Sequence, residues 1–230
     1  MMALQLHSLR SIIVFVILCV LPSASLAAEI VGKVTLSGKP AADLVISIEG
    51  LKLEGPPDAA IQVIDHRNLN FTPHVLVVRV GSTVHFQNSD GMPCRIYSIS
   101  PTGMFVLGRH EDRPMTVTFD QPGVVEVRCA DHHQIYAYII VKENPYFAIT
   151  DAKGRYRISG VSPGHHTIQA WYEGSVVKTQ KIEVGQKKLT VDFRASLPQT
   201  RTPEEQPLAG SPADDATGAN PSLTFLEDIR

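Results

Sequence analysis

The feature that most constrains the fold is a series of short segments in which apolar and polar residues alternate, separated by turn residues such as Gly, Pro and Asp. Strict alternation of this kind is typical of half-buried β-strands. Between residues 29 and 193 no stretch keeps an apolar period of 3.6 residues over three turns, so no amphipathic helix is expected. Many short strands at this spacing predict a β-sandwich or barrel, and the predicted fold class is all-β. The clearest segments are residues 30–34, 75–80, 83–86, 115–119, 124–128, 137–141 and 167–172.

Charge and cysteine content exclude two broad classes of protein. The chain has 21 basic and 23 acidic residues and a formal net charge of −2, so it lacks the basic excess of a protein that binds nucleic acid through phosphate attraction. Three cysteines in 230 residues are too few for a small disulfide-rich scaffold.

The first 27 residues have the pattern of an export signal. Arg10 precedes an apolar run at residues 11–21, and Ser25 and Ala27 supply the small residues of a cleavage site. The run is shorter than the roughly 20 residues of a membrane span. We therefore predict a signal peptide over 1–27 and a periplasmic or otherwise exported protein with no membrane span after cleavage, an uncleaved anchor being the alternative. Cys19 is lost with the signal.

The last segment differs in composition from the rest of the chain. Residues 197–230 are rich in Pro, Thr, Ala, Gly and acidic residues, with almost no aromatic side chains. Such a segment buries too little apolar surface to offset its chain entropy. It is predicted to be a disordered acidic tail.

The central part of the chain resembles a cupredoxin, the small Greek-key sandwich of blue copper proteins. The residues that carry the resemblance are FTPHVLVVRVGSTVHFQNSD at 71–90, FDQPG at 119–123 and CADHHQI at 129–135. The last of these stands where the family has its copper loop. The resemblance implies a cupredoxin-like domain over residues 59–144.

A second resemblance frames the first. Residues 32–41 and 44–48 look like the opening of a carboxypeptidase-regulatory-like domain, a transthyretin-like sandwich, and residues 150–158 and 161–168 look like its continuation. The resemblance implies one sandwich formed by residues 28–58 and 145–196, with the cupredoxin inserted in it; two tandem domains are the alternative. The combination is similar to bacterial exported proteins named methylamine utilisation proteins.

The cupredoxin resemblance also implies a modified metal site. Cys129 takes the position of the copper thiolate and His132 that of the loop imidazole. Cys94 stands where the family has its other histidine, and Ile135 where it has the axial methionine, so a normal blue copper centre is not expected. Two thiols and an imidazole are expected to converge, with His133 adjacent.

Three outcomes are open for this site. Cys94 and Cys129 form a disulfide, which an oxidising compartment favours. Alternatively Cys94, Cys129 and His132 hold a soft ion, either Cu(I), or Zn(II) with His133 or water as the fourth ligand. In the third outcome the two states interconvert. His66, His74 and His85 are interpreted as structural residues.

No catalytic motif accompanies this site. The chain lacks a phosphate-binding glycine loop, a His-Glu-x-x-His pair and a Cys-x-x-Cys pair, so it is not expected to be an enzyme. The leading hypothesis is an exported cupredoxin-like protein that binds copper or transfers electrons, with a periplasmic redox partner or copper donor. The alternative is a metal-free structural or interaction module joined by a Cys94–Cys129 disulfide.

Overall fold

The computed structural model describes residues 28–52, 60–109 and 115–196. In these three ranges all regular structure is β-strand and there is no helix, so the predicted all-β class is confirmed. Within the same ranges no helix is long and apolar enough to cross a membrane. The predicted signal peptide, the predicted boundary at 58/59 and the predicted tail lie outside the described residues.

The described residues form eighteen strands, most of them short. In chain order they are β1 (Ala28–Leu36), β2 (Lys39–Pro40), β3 (Val45–Glu49), β4 (Gln62–Arg67), β5 (Asn70–Thr72), β6 (Val75–Arg79), β7 (Ser82–Asn88), β8 (Arg95–Ser100), β9 (Gly103–Arg109), β10 (Met115–Phe119), β11 (Gly123–Cys129), β12 (Tyr136–Lys142), β13 (Phe147–Ile149), β14 (Arg155–Val161), β15 (Gly164–Tyr172), β16 (Ser175–Val184), β17 (Leu189–Thr190) and β18 (Phe193–Ala195). All seven predicted segments lie in strands, except that Val80 follows β6.

Strands β4 to β12 form one sandwich of two sheets. One sheet has the order β10-β7-β4-β5 and the other β6-β12-β11-β8-β9. Neighbours are antiparallel apart from the β4–β7 and β6–β12 pairs, which are parallel. Alternation along each strand turns one apolar face inward, and Phe86, Phe119 and Ile139 are among the fully buried residues of the core.

The strands before β4 and after β12 form a second sandwich. One sheet contains β14-β1-β17, with β2 and β18 also paired to β1, and the other has the order β13-β3-β15-β16. Their shared core includes Ile30, Ile46 and Phe193. Tyr156 is buried in this core and its hydroxyl donates to the carbonyl of Val191 at 2.6 Å, and burial raises its pKa.

A separate apolar cluster joins the two sandwiches. Val45 and Trp171 of the second sandwich pack with Val75, Val77 and Ile140 of the first. These residues lie on the sheet faces that point away from each sandwich's own core. Both sheets are therefore covered on both faces at this contact.

The turn between β13 and β14 depends on its glycine. Gly154 has φ = +71°, and a Cβ at this position would lie 2.4 Å from the carbonyl oxygen of Val34. Its own carbonyl accepts a hydrogen bond from the Val34 N–H at 2.8 Å. Only glycine combines this backbone conformation with so close an approach to β1.

Candidate metal centre

The two cysteines meet at one end of the first sandwich. Cys94 directly precedes β8, and Cys129 is the last residue of β11, where it pairs with Ile96. The register brings their Cα atoms to 5.7 Å, and the two sulfurs are bonded to each other as a disulfide. Both cysteines are fully buried. The geometry therefore matches the predicted convergence and lies in the Cα–Cα range of a disulfide.

The loop after Cys129 brings an imidazole to the same point. His132 Nδ1 lies 3.7 Å from Cys129 Sγ. The loop closes on itself, because the Ile135 N–H donates to the His132 carbonyl at 2.9 Å and the Cys129 N–H donates to the Ile135 carbonyl at 3.2 Å. Because of this tight turn, His132 lies beside the sulfur of Cys129, three residues earlier in the chain.

A second set of hydrogen bonds ties the two cysteine segments together. The Arg95 N–H donates to Asp131 Oδ2 at 2.8 Å, and the Ala130 N–H donates to the Arg95 carbonyl at 2.9 Å. Each bond joins a residue next to one cysteine with a residue close to the other. The positions of the two sulfurs are thus fixed by backbone contacts as well as by their own contact.

Two further residues of the predicted site lie differently. Ile135 is buried in the same apolar core as Cys94 and Cys129, where its side chain offers no donor atom. His133 is exposed. With the two sulfurs in contact, the described part of the chain contains no group of three or more His, Cys, Asp or Glu side chains arranged to hold a metal ion.

A histidine that the sequence reasoning left aside also lies at this end of the sandwich. His66 of β4 is fully buried, and its ring centroid is 6.4 Å from that of His132, with 25° between the planes. Its Nδ1 lies 3.1 Å from Asn88 Oδ1, while its Nε2 is buried and has no hydrogen-bond partner among the described residues. Ile64 and His66 are two residues apart on one strand, so the sequence indicates that His66 shares the inward face of β4, but not that it lies beside His132.

Aspartates fasten the segment that leads to Cys94 onto the β4–β5 hairpin. Asp90 accepts hydrogen bonds from the N–H groups of Leu69 at 2.8 Å and Asn68 at 2.7 Å, and these bonds hold the pKa of its carboxyl below the ordinary value. Asp65 accepts hydrogen bonds from both the N–H and the hydroxyl of Ser89. The hairpin that carries His66 and the Cys94 segment are therefore one connected unit.

One sulfur–nitrogen separation at this end of the sandwich equals that of two donors on one soft metal ion. An ion bonded to sulfur at about 2.3 Å and to nitrogen at about 2.0–2.1 Å, with a near-tetrahedral angle, separates the two donors by roughly 3.6 Å. The observed separation of Cys129 Sγ and His132 Nδ1 is 3.7 Å. Thiolate and imidazole donors are also the types that Cu(I) and Zn(II) select.

Comparisons by sequence find no relative. No known family profile matches the chain, and no curated protein matches it.

Comparisons by structure find cupredoxins. A mutant of amicyanin in its Cu(I) form is 22% identical with a TM-score of 0.32, covering 42% of this chain and 98% of its own. The copper-containing nitrite reductase NirK from Thermus scotoductus is 24% identical with a TM-score of 0.34, over 43% of this chain and 25% of its own. A purple cupredoxin from Nitrosopumilus maritimus is 23% identical with a TM-score of 0.28, over 35% of this chain and 99% of its own. At these TM-scores the likenesses carry no argument about what this chain binds.

Proposed function

We propose that this chain is an exported cupredoxin-like protein that binds copper as Cu(I) through Cys94, Cys129 and His132. The observation that carries the proposal is the placement of His132 Nδ1 at 3.7 Å from Cys129 Sγ, with the sulfur of Cys94 in contact with that of Cys129. All three donors come from segments that hydrogen bonds tie together. To hold one ion the Cys94–Cys129 bond has to be reduced, and the two sulfurs then move apart to about 3.7 Å, the separation set by two metal–sulfur bonds of about 2.3 Å at a tetrahedral angle. Bound there, the ion supplies soft Lewis acidity or a store for one electron.

Reduced copper is favoured because of what replaces the usual ligands. A blue centre uses two imidazoles, one thiolate and a weak axial thioether. Here Cys94 adds a second thiol, and the buried side chain of Ile135 offers no sulfur. With Cu(II), the thiol pair gives up two electrons and two protons and forms the Cys94–Cys129 bond, so two Cu(II) ions become Cu(I) and the pair no longer offers thiolates. The Cu(I) complex therefore forms only with the reduced pair. The site thus suits copper handling better than blue-copper electron transfer.

The remaining features support the same proposal. The signal-like N-terminus suits a periplasmic protein, and a copper donor or redox partner there is the expected partner. The second sandwich, which resembles a carboxypeptidase-regulatory-like domain, contributes no donor to the site described above. We propose no enzymatic activity for the chain.

A second candidate function rests on the contact between the sulfurs. With Cα atoms 5.7 Å apart, Cys94 and Cys129 can close a disulfide across a separation of 35 residues. In the chain-entropy model such a bridge contributes about 3–4 kcal/mol to stability. The protein is then a metal-free structural or interaction module.

A Cu(I) titration of the fully reduced protein, in competition with a chromophoric Cu(I) chelator, separates the two functions. We expect one tightly held Cu(I) per chain, strongly weakened in Cys129→Ser and unchanged in His165→Ala, which removes an exposed imidazole of the second sandwich. If the Cys94→Ser/Cys129→Ser double variant competes with the chelator for Cu(I) as well as the wild type does, the two cysteines do not bind copper. The protein is then the structural module instead.

A further inference from the structure

The imidazole of His66 has a buried nitrogen that no described residue hydrogen-bonds. His66 is 0% exposed, and its Nε2 has no hydrogen-bond partner among the described residues. A buried polar atom left unpaired is destabilising, so most such atoms in folded proteins have a partner. We therefore expect His66 Nε2 to bind a partner.

The hydrogen bond at Nδ1, on the other side of the His66 ring, indicates what kind of partner Nε2 takes. Asn88 donates from its Nδ2 to the Met92 carbonyl at 2.7 Å, which turns its Oδ1 toward His66. An amide oxygen only accepts, so we assign the proton of His66 to Nδ1, which donates to Asn88 Oδ1 at 3.1 Å. Nε2 then carries a free lone pair. This is the arrangement of metal-binding histidines, whose second nitrogen donates to a carbonyl or carboxylate.

The position of the His66 ring relative to His132 also favours metal binding. The rings of His66 and His132 are 6.4 Å apart between centroids and nearly parallel. Two imidazoles on one tetrahedral ion have centroids about 5–6 Å apart, given metal–nitrogen bonds of about 2.0–2.1 Å. The observed separation is therefore about 1 Å longer than that of two imidazoles bound to one ion.

We propose that His66 is the fourth ligand of the centre, so that Cys94, Cys129, His132 and His66 provide two sulfur and two nitrogen donors. The inference rests on the proposed function and extends it. A set of this kind, filled by protein side chains alone, suits a tetrahedral d¹⁰ ion, either Cu(I) or Zn(II). It replaces the exposed His133 or a water as the fourth donor.

The test in the unmodified chain uses imidazole ¹⁵N resonances of the reduced protein before and after one equivalent of Zn(II). We expect the Nε2 resonance of His66 and the Nδ1 resonance of His132 to move together, while His85 and His165 stay in place. Zn(II) is the probe because it is colourless, diamagnetic and tetrahedral in closed sites. This readout does not depend on any variant folding.

Affinity provides the second arm. His66→Gln removes the imidazole and keeps a neutral side chain of similar length, and we expect it to weaken Zn(II) and Cu(I) binding about 100-fold or more, since even loss of an outer-shell partner costs 10–100-fold. The matched control is His85→Gln, on the neighbouring strand β7, where Val84 and Phe86 face the core and His85 does not. We expect no change in the control.

The possible results distinguish the role of His66 from the proposed copper site of Cys94, Cys129 and His132. Binding that moves the His132 resonance alone, with His66→Gln as tight as wild type, overturns the role of His66 and leaves the copper site standing. Absence of Zn(II) and Cu(I) binding, with neither ring responding, overturns both.

Discussion

At the scale of single residues, two residues distinguish this site from a blue copper centre, one before Cys129 in the chain and one after it. Cys94 stands in the position that the cupredoxin resemblance gives to a histidine, and Ile135 in that of the axial methionine. Both side chains are buried beside Cys129. The backbone that presents them is held by the Arg95–Asp131 and Ala130–Arg95 hydrogen bonds, which neither substitution removes.

The first prediction follows from that geometry. The Cys94→His/Ile135→Met variant restores two imidazoles, one thiolate and a thioether on a scaffold that still presents them. Cu(II) added to it should produce an intense visible thiolate-to-copper absorption band that the parent lacks. Adding Cys129→Ser to this variant should abolish the band. A strongly blue parent, or a folded variant that stays colourless, would show that Cys94 does not occupy a ligand position.

The residue scale also shows where sequence reasoning stopped short. The convergence of Cys94, Cys129 and His132 was predictable, because the family resemblance supplies the loop positions. His66 was not connected to them, since Asp65 and Arg67 make its segment look polar. Its place depends on the parallel pairing of β4 with β7, which sets His66 opposite Asn88 and is not encoded in any local pattern.

At the scale of elements, strands with clear alternation were predicted and polar ones were not. The segment at 115–119 alternates, and it forms β10 as expected. By contrast, β16 contains mainly exposed and half-buried residues and pairs only with β15, at the edge of its sheet. Edge strands of this kind bury too little apolar surface to leave a pattern in the sequence.

The turn between β13 and β14 carries a prediction about acid stability. The side chain and the N–H of Arg155 bond to Asp151 and lower the pKa of its carboxyl from 3.8 to about 2. A lowered folded-state pKa means that the charged carboxylate stabilises the fold above pH 4, and that this contribution is lost as the pH falls from about 4 to about 2.

Asp151→Asn should therefore lower the midpoint of thermal unfolding at pH 7 and bring the variant close to wild type near pH 2. Paired melting curves from pH 7 to pH 2 measure the difference. Asp43→Asn is a control at another exposed aspartate near the same sheets. A difference between Asp151→Asn and wild type that stays constant with pH would contradict the linkage.

At the scale of the whole molecule, stability depends on the contact between the two sandwiches. Trp171 is 4% exposed and packs edge-on against Tyr138, with ring centroids 5.1 Å apart. Local alternation predicted the strand of Trp171 but not which outer sheet faces meet, because that is set by the packing of residues far apart in the chain.

Trp171→Ala should cost about 3–5 kcal/mol, the range for deleting a large buried aromatic side chain. Its register partner Val176 on β16 is 52% exposed, and Val176→Ala should change stability by about 0.5 kcal/mol or less. Denaturant unfolding of both variants provides the comparison. Equal, small effects would mean that the contact contributes little to the stability of the chain.

The central claim is that the cysteine pair and His132 hold copper. The most direct measurement is a metal analysis combined with a thiol count on the mature protein isolated from the cell envelope under anaerobic conditions. We expect about one copper per chain and two thiols that react once the protein is denatured and the copper is chelated. A protein without metal, in which no thiol reacts until a reductant is added, would contradict it and identify a disulfide-bonded structural module.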